Sequence, residues 1–492
     1  MKSLRQKLVF SILLITSLKA FAGSGSTDLG KQVSPPVSPP NPWEITGAAG
    51  LNLARGNSDN LQLNAEVLAS YITLSDEVYL DASYLYGEDR GAVNNNVFRA
   101  YANYNHLLNE CFYYGLFSDF LHDELANVDY RVDVGPNLGY YLIKNDTTKL
   151  AIEAGAGYLW EKVDVKDDYF TLRFAQRFEH KLSNRIKFVE SVIYQPRADD
   201  FGDYLLTAEA GISFAISKHW AIKASVRDIY DSTPAAGAKG NDLAVLASLA
   251  YSLGGFADEA PAARRTLKPE KKKAADPTMG WTTTAFLGFG LTRGNSETLN
   301  LAGDLATVFR SPPNEFFFSA GGAYGETGDE TNLQNFHTSA QYNRLLTERF
   351  YVGGSLAFLY DRLADLDYNV SPAVLAGVYL VKNDDVKFSV DAGPAYVWKK
   401  VGGVRDDYFA LQFGERLSLK LLDNLSFGQS LAYVPDASDF NTYTIHAAAF
   451  VDVDVTSNLS FRAGVTDIYD SSPAAHSRKN DFTLTSGIAI KF

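Results

Sequence analysis

The chain holds one cysteine, Cys111, two methionines and seven histidines in 492 residues. A single cysteine excludes an intrachain disulfide framework and any CxxC metal site. So few histidines leave little room for metal or acid–base chemistry. Basic residues are in deficit: 45 Lys and Arg against 58 Asp and Glu give a net charge of −13, whereas a nucleic-acid binder needs a basic face. Long apolar runs are missing as well. The longest without a charge, Leu8 to Leu18, is too short to span a bilayer as a helix. With 46% hydrophobic and 21% charged residues, the composition is neither that of a disordered chain nor that of a bundle of membrane helices. What is plentiful is aromatic and small: 28 Tyr, 31 Phe, and 38 Gly scattered through segments that otherwise read as strands.

The first segment reads as an export signal. Lys2, Arg5 and Lys7 precede the apolar run, and Ala20-Phe21-Ala22 supplies a small-x-small cleavage site before Gly23. Residues 1–22 are expected to be removed, and no cysteine follows that would anchor a lipoprotein. Residues 23–42, rich in Pro and Ser, read as an extended polyproline-like tether.

The remainder is one unit written twice. Arg55-Gly56-Asn57-Ser58 recurs as Arg293-Gly294-Asn295-Ser296, and Tyr86-Gly87-Glu88 as Tyr324-Gly325-Glu326. Asp228-Ile229-Tyr230-Asp231-Ser232, with Pro234 and Asn241-Asp242 after it, returns as Asp467 to Ser471, Pro473 and Asn480-Asp481. A period this long rules out a solenoid, so each copy is a whole domain. The first covers 43–253 and the second 280–492; between them, 254–279 is a linker rich in Ala, Pro and Lys.

Within each copy the period is two. Ile45, Gly47, Ala49, Leu51 and Leu53 alternate with Glu44, Thr46, Ala48, Gly50 and Asn52, and the same pattern recurs between turn clusters such as Lys144-Asn145-Asp146. Strands of about 9–14 residues suit a tilted bilayer crossing, and roughly twelve fit in each copy. Long odd connections, read at GEDRGAVNNN after Tyr86, QPRADDFGD after Tyr194 and DSTPAAGAKGND after Tyr230, alternate with tight turns. The expected fold is all-β: two tandem antiparallel transmembrane barrels of about twelve strands each, with one merged barrel of about 24 strands as the alternative. A soluble barrel would put its apolar face inside. Three features favour the membrane: the export signal, aromatics near strand ends (Trp43, Tyr71, Tyr86, Trp160, Tyr194, Trp220, Tyr230), and the alternating final strand ending on Phe492.

The RGNSD and RGNSE turns, YGE, the segments His122–Asp129 and Asp361–Asp367, and DIYDS-x-P…ND resemble the signatures of the uncharacterised salt-induced outer membrane protein family, whose members usually carry one copy. The resemblance spans nearly the whole mature chain, twice. It implies an outer-membrane barrel and supplies no established activity. Outer-membrane lipids are then the expected surroundings, and the strand ending in Phe492 is the expected handle for the barrel-assembly machinery.

Comparing the copies selects candidate lumen-facing charges. Glu66 corresponds to Asp304, Glu153 to Asp391, Arg177 to Arg416, Lys181 to Lys420 and Lys223 to Arg462. Sign survives at all five positions. Such charges on lipid would each cost about 2–4 kcal/mol at the midplane, whereas inside a narrow barrel they can pair. They either brace and fill the interior or line a conduit for small polar solutes or ions; a twelve-strand lumen permits both. The functional expectation is a non-enzymatic passive channel for small hydrophilic solutes, or an envelope protein of osmotic stress, the latter from the resemblance alone. A structural or adaptor barrel with a charge-plugged lumen is the first alternative, and an outer-membrane lipid hydrolase the second. No histidine recurs at the same position in both copies and no GxSxG or HExxH motif is present. No cofactor is expected. Asp123, Asp129, Asp361 and Asp367 offer oxygens for calcium, but without EF-hand spacing.

Overall fold

The computed structural model describes residues 42–256, 280–422, 424–454 and 456–492. The expected signal peptide, the tether except for its last residue and the linker from residue 257 onward lie outside the described residues. The first copy runs β1 (Trp43–Arg55), β2 (Asn60–Ile72), β3 (Asp76–Asp89), β4 (Ala92–Leu107), β5 (Phe112–Asp123) and β6 (Val128–Lys144). It continues with β7 (Thr148–Val163), β8 (Val165–Ser183), β9 (Ile186–Pro196), β10 (Tyr204–Ala215), β11 (Trp220–Asp231) and β12 (Asn241–Ser252). The second copy begins with β13 (Gly280–Arg293), β14 (Thr298–Ser311), β15 (Asn314–Thr327), β16 (Glu330–Leu345), β17 (Phe350–Asp361) and β18 (Leu366–Lys382). It ends with β19 (Val386–Val401), β20 (Val404–Leu422), β21 (Leu425–Pro435), β22 (Tyr443–Asp454), β23 (Leu459–Asp470) and β24 (Asn480–Lys491).

Each strand pairs antiparallel with its sequence neighbours in a 24-stranded sheet. Local chemistry sets the turns. Asn109 Oδ1 accepts the backbone N–H of Cys111 and Phe112, and Asn145 Oδ1 that of Thr147 and Thr148, so an Asn side chain closes each reversal. One expected loop is absent: most of GEDRGAVNNN belongs to β3 and β4, which meet at an Arg90-Gly91 turn with φ of 49° and 81°. Polar Asn94, Asn95 and Asn96 look like loop residues in sequence, but Asn95 and Asn96 continue the ladder beyond the apolar band opposite Gly87 and Tyr86, with Asn94 as a bulge. For the same reason β8 and β20 reach 19 residues, longer than a bilayer crossing requires.

Closure combines the two expected architectures at different heights. We call the end where each copy starts and finishes the turn end, and the opposite one the loop end. At the turn end, β1 pairs with β12 from Thr46↔Ser252 to Ala49↔Leu249, and β13 pairs with β24 from Thr284↔Lys491 to Leu287↔Ile488. Each copy there closes on itself. At the loop end the partners change: β1 pairs with β24 from Leu53↔Leu484 to Arg55↔Phe482, and β12 with β13 from Leu243↔Arg293 to Val245↔Leu291. There the two copies form one continuous ring. Among the described residues no strand keeps a long open edge, an arrangement that suits hydrocarbon surroundings, where each unpaired backbone group costs several kcal/mol.

Leu116, Leu138, Ile152, Leu356 and Val374 are exposed on the outer surface. Aromatic pairs flank this band at both ends. Trp43–Tyr71 (5.1 Å between centroids), Trp220–Tyr251 (4.8 Å) and Trp281–Phe309 (4.8 Å) lie at the turn end. Tyr194–Tyr204–Tyr230 (5.3 and 5.7 Å) and Tyr433–Tyr443–Tyr469 (5.4 and 5.5 Å) form arcs toward the loop end. Rings with an apolar body and a polar tip belong at such interfaces.

Loops from the two copies also meet. Lys239 pairs with Glu297, and this bond holds the Glu297 carboxyl below its usual range. A depressed carboxyl pKa means the contact is complete above the ordinary glutamate value of 4.5 and is lost as pH falls through the lowered one. Both side chains are substantially exposed, so the contribution is a few tenths of a kcal/mol at most. Glu297→Gln is expected to remove an acid-side step from the distance between labels on these two loops, with little change in unfolding stability.

Candidate functional site in the barrel interiors

Side chains that meet across non-neighbouring strands must do so through the interior. In the first copy they form a stack of bridges. Nearest the loop end, Arg131 on β6 donates from Nε to Glu161 on β7 (2.6 Å) and from Nη2 to Asp231 on β11 (2.9 Å), spanning nearly the full width. Below it Asp133 on β6 accepts from Thr171 on β8 (2.9 Å) and Gln195 on β9 (2.8 Å). At the centre Glu153 on β7 accepts from Arg173 (2.7 Å) and Arg177 on β8 and from Tyr113 on β5 (2.9 Å), while Arg173 reaches Tyr101 on β4 (3.2 Å). The side chains of Arg173 and Glu153 are 1% and 0% exposed, so water does not screen them. Arg227 on β11 joins Ser83 on β3 (3.1 Å) and Glu209 on β10 (3.2 Å), and Lys223 on β11 meets Glu66 on β2 (2.6 Å).

The second interior keeps part of this plan. Asp391 accepts from Tyr351 (2.9 Å) and Gln341 (3.0 Å), and Arg416 donates to Gln341 (3.1 Å) while lying 4.1 Å over Phe317. Arg462 forks onto Asp452 (2.7 and 2.8 Å) with Asp304 3.7 Å away. Where the first copy has Arg131 and Glu161, the second has Asn369 and Lys399, and Lys399 now reaches Asp470 at 2.6 Å. The cation has moved one strand over, yet the bridge to the DIYDS aspartate survives. Ala373, Leu375, Ala395, Val397, Tyr408, Ala410 and Val434 form a buried apolar cluster here. The first copy places Asn137, Thr171 and Gln195 at three of these positions. One interior is thus bridged mainly by ions and the other partly filled by hydrocarbon.

Of the ten charges picked from sequence, eight take part in these contacts. Lys181 and Lys420, exposed at the turn end, do not. Sequence comparison missed Arg131, Asp133, Glu161, Arg173, Glu209, Arg227 and Lys399. It required the same sign in both copies, and several of these face Asn369, Ser371, Gln412, Ala448 or Thr466 in the other. Strand parity alone would have placed them on the polar face.

A cavity of about 930 Å³ occupies the turn-end half of the first interior, between Glu66, Asp81, Arg177, Lys181, Glu209 and Lys223. Gly211 lines it; at the corresponding place in the second copy stands Phe450, under Arg462 (4.0 Å).

The four acidic residues considered for calcium are engaged elsewhere. Asp123 Oδ1 accepts from the backbone of Leu125 and Ala126, Asp361 does the same for Leu363 and Ala364, and Asp129 and Asp367 pair with Lys162 and Lys400. Among the described residues no group of three His, Cys, Asp or Glu is placed to hold a metal ion. His106 bonds Asp76, His180 bonds Thr148, and His122 and His219 bond the backbone carbonyls of Asp129 and Ser252.

A family model described as "Protein of unknown function, DUF481" matches residues 47–253 and again 285–492. The chain belongs to this family. Each match coincides with one twelve-strand DUF481 repeat, so the duplication is of the whole family unit. Comparison with curated protein sequences finds no match. Among solved structures, the NanC porin is 8% identical, covering 43% of this chain and 99% of its own, with a TM-score of 0.29. The KdgM porin in complex with disordered oligogalacturonate is 10% identical (42% and 96% covered, TM-score 0.24). The siderophore receptor PirA from Pseudomonas aeruginosa is 7% identical (92% and 81% covered, TM-score 0.25).

Proposed function

We propose that this DUF481 protein is a non-enzymatic outer-membrane double barrel whose interiors are shut at rest, and that it supports the envelope under osmotic stress. The observation that carries the closed state is the buried Arg173–Glu153 pair with buried Tyr113 and half-buried Tyr101, linking four strands inside the first barrel. The apolar outer band with its aromatic margins supports the membrane setting. The stress role rests on the resemblance of its motifs to the salt-induced family. Lipid surrounds the outer band, and β24 with Phe492 after it is the segment offered to the assembly machinery. A second reading, passage of small hydrophilic solutes or ions, is favoured by the 930 Å³ cavity and requires the central bridges to yield.

Planar-bilayer recording separates the two readings. Wild-type protein is expected to give no steady current above the lipid background. A steady ohmic current would overturn the closed barrel in favour of the channel, and lipid hydrolysis abolished by one Ser or His substitution would overturn the non-enzymatic reading.

A further inference from the structure

The RGNS and ND motifs of each repeat take no part in the bridges. The structure gives them a task of their own. Asn57, in the RGNS turn of the first copy, donates from its side-chain amide to Asp481 Oδ2 (2.7 Å) and to the Arg478 carbonyl (3.1 Å), and its Oδ1 accepts the Arg478 backbone N–H (2.6 Å). Asp481 belongs to the ND pair that opens β24, in the second copy. The reciprocal set is complete. Asn295 donates to Asp242 Oδ2 (2.7 Å) and the Lys239 carbonyl (3.0 Å), and accepts the Lys239 backbone N–H (2.6 Å). Gly56 and Gly294 both have φ of 134°, and a Cβ on either would overlap the backbone of the opposite ND segment. The RGNS turn and the ND segment are therefore a shaped pair, bringing the two strands that follow and precede them into register.

We infer that RGNS and ND form the closing clasp of this fold, and that in the tandem chain each copy's clasp engages the other copy, so that the loop-end halves of β1 and β13 are exchanged. Two identical RGN turns and two identical ND segments offer no chemical preference between self-closure and exchange. The preference arises where the copies differ and touch. Gln62 and Asn300 occupy corresponding positions and meet at the waist, where the Asn300 amide donates to Gln62 Oε1 (3.0 Å) and Asn60 donates to Asn300 Oδ1 (3.0 Å). Asn94 donates to Thr327 (3.2 Å), whose counterpart is Asp89. Contacts between equivalent positions are the mark of a two-fold interface, here built inside one chain. The partner that the clasp surface fits is thus another copy of the same repeat.

Cysteine pairs placed in the ladder, away from the clasp, test this in the full chain with Cys111→Ser and a protease site inserted in the linker. Ala54 faces Thr483 and Ala244 faces Thr292 in the observed register. Self-closure would instead set Ala54 against Ala244. Ala54→Cys with Thr483→Cys, and Ala244→Cys with Thr292→Cys, are each expected to hold the cleaved halves together as one full-mass band on a non-reducing denaturing gel. Ala54→Cys with Ala244→Cys is expected to release two half-mass bands without an internal cross-link. Comparable oxidation of that last pair would overturn the exchange. Linker-cleaved protein without cysteines provides a check independent of any substitution. Its halves are expected to co-elute in mild detergent, and separate elution of two folded, heat-modifiable halves would likewise overturn the inference.

Discussion

Glu153→Ala is expected to destabilise the protein by about 3–5 kcal/mol, the range for breaking a buried ion cluster from one side. Its carboxylate is the shared acceptor of Arg173, Arg177 and Tyr113. Removing it leaves a guanidinium that is 1% exposed without its carboxylate partner. The loss comes from that stranded cation more than from the attraction itself. A triple replacement, Glu153→Leu with Arg173→Met and Arg177→Met, is accordingly expected to recover most of the stability, because it removes the desolvation cost along with the pairing. Urea unfolding in detergent micelles measures both. The second copy provides an internal contrast. Asp391 accepts from the neutral donors of Tyr351 and Gln341, so Asp391→Ala should cost about 1–3 kcal/mol, the price of unsatisfied neutral groups. Equal losses at 153 and 391 would mean that the ions of the first barrel carry no special weight. If the bridges are also what shuts the lumen, the single Glu153 variant gains a bilayer current that wild type lacks.

An arginine at Leu116 is the second large expectation. Leu116 lies in the middle of β5, 53% exposed on the outer face, next to Phe117, which is fully buried inside. Facing hydrocarbon, Leu116→Arg is expected to cost about 2–4 kcal/mol, whereas Leu74→Arg, at a turn, should cost roughly 0–1. The comparison depends on depth alone, since both leucines are exposed. Unfolding from lipid vesicles reads the difference. Were Leu116→Arg as harmless as Leu74→Arg, the outer face would be wet and the barrel turned the other way.

The polar Asn94–Asn96 run shows where reading by composition misleads. Asn95 and Asn96 pair with Gly87 and Tyr86 of β3 while Asn94 forms a bulge, because once the wall rises past the apolar band nothing requires the outward face to be apolar. The interior partners were hidden for a different reason. Shared sign between copies finds Glu153 and Arg177, but Arg131 is replaced by Asn369 while Glu161 becomes Lys399, and only contact geometry reveals that the bridge to Asp231 or Asp470 was rebuilt rather than lost.

Alternation of side chains was enough to determine about twelve strands per repeat, because a period of two follows from strand geometry and is written residue by residue, and the recurring RGNS, YGE and DIYDS motifs determined the duplication. Which edge closes against which was decided only in three dimensions. A strand edge presents the same N–H and C=O groups whatever its sequence, and the RGNS and ND segments occur in two interchangeable sets, so neither backbone nor motif names its partner. The choice falls to side chains far apart in the chain, Gln62 with Asn300 and Asn94 with Thr327, which meet only when the two repeats share a wall.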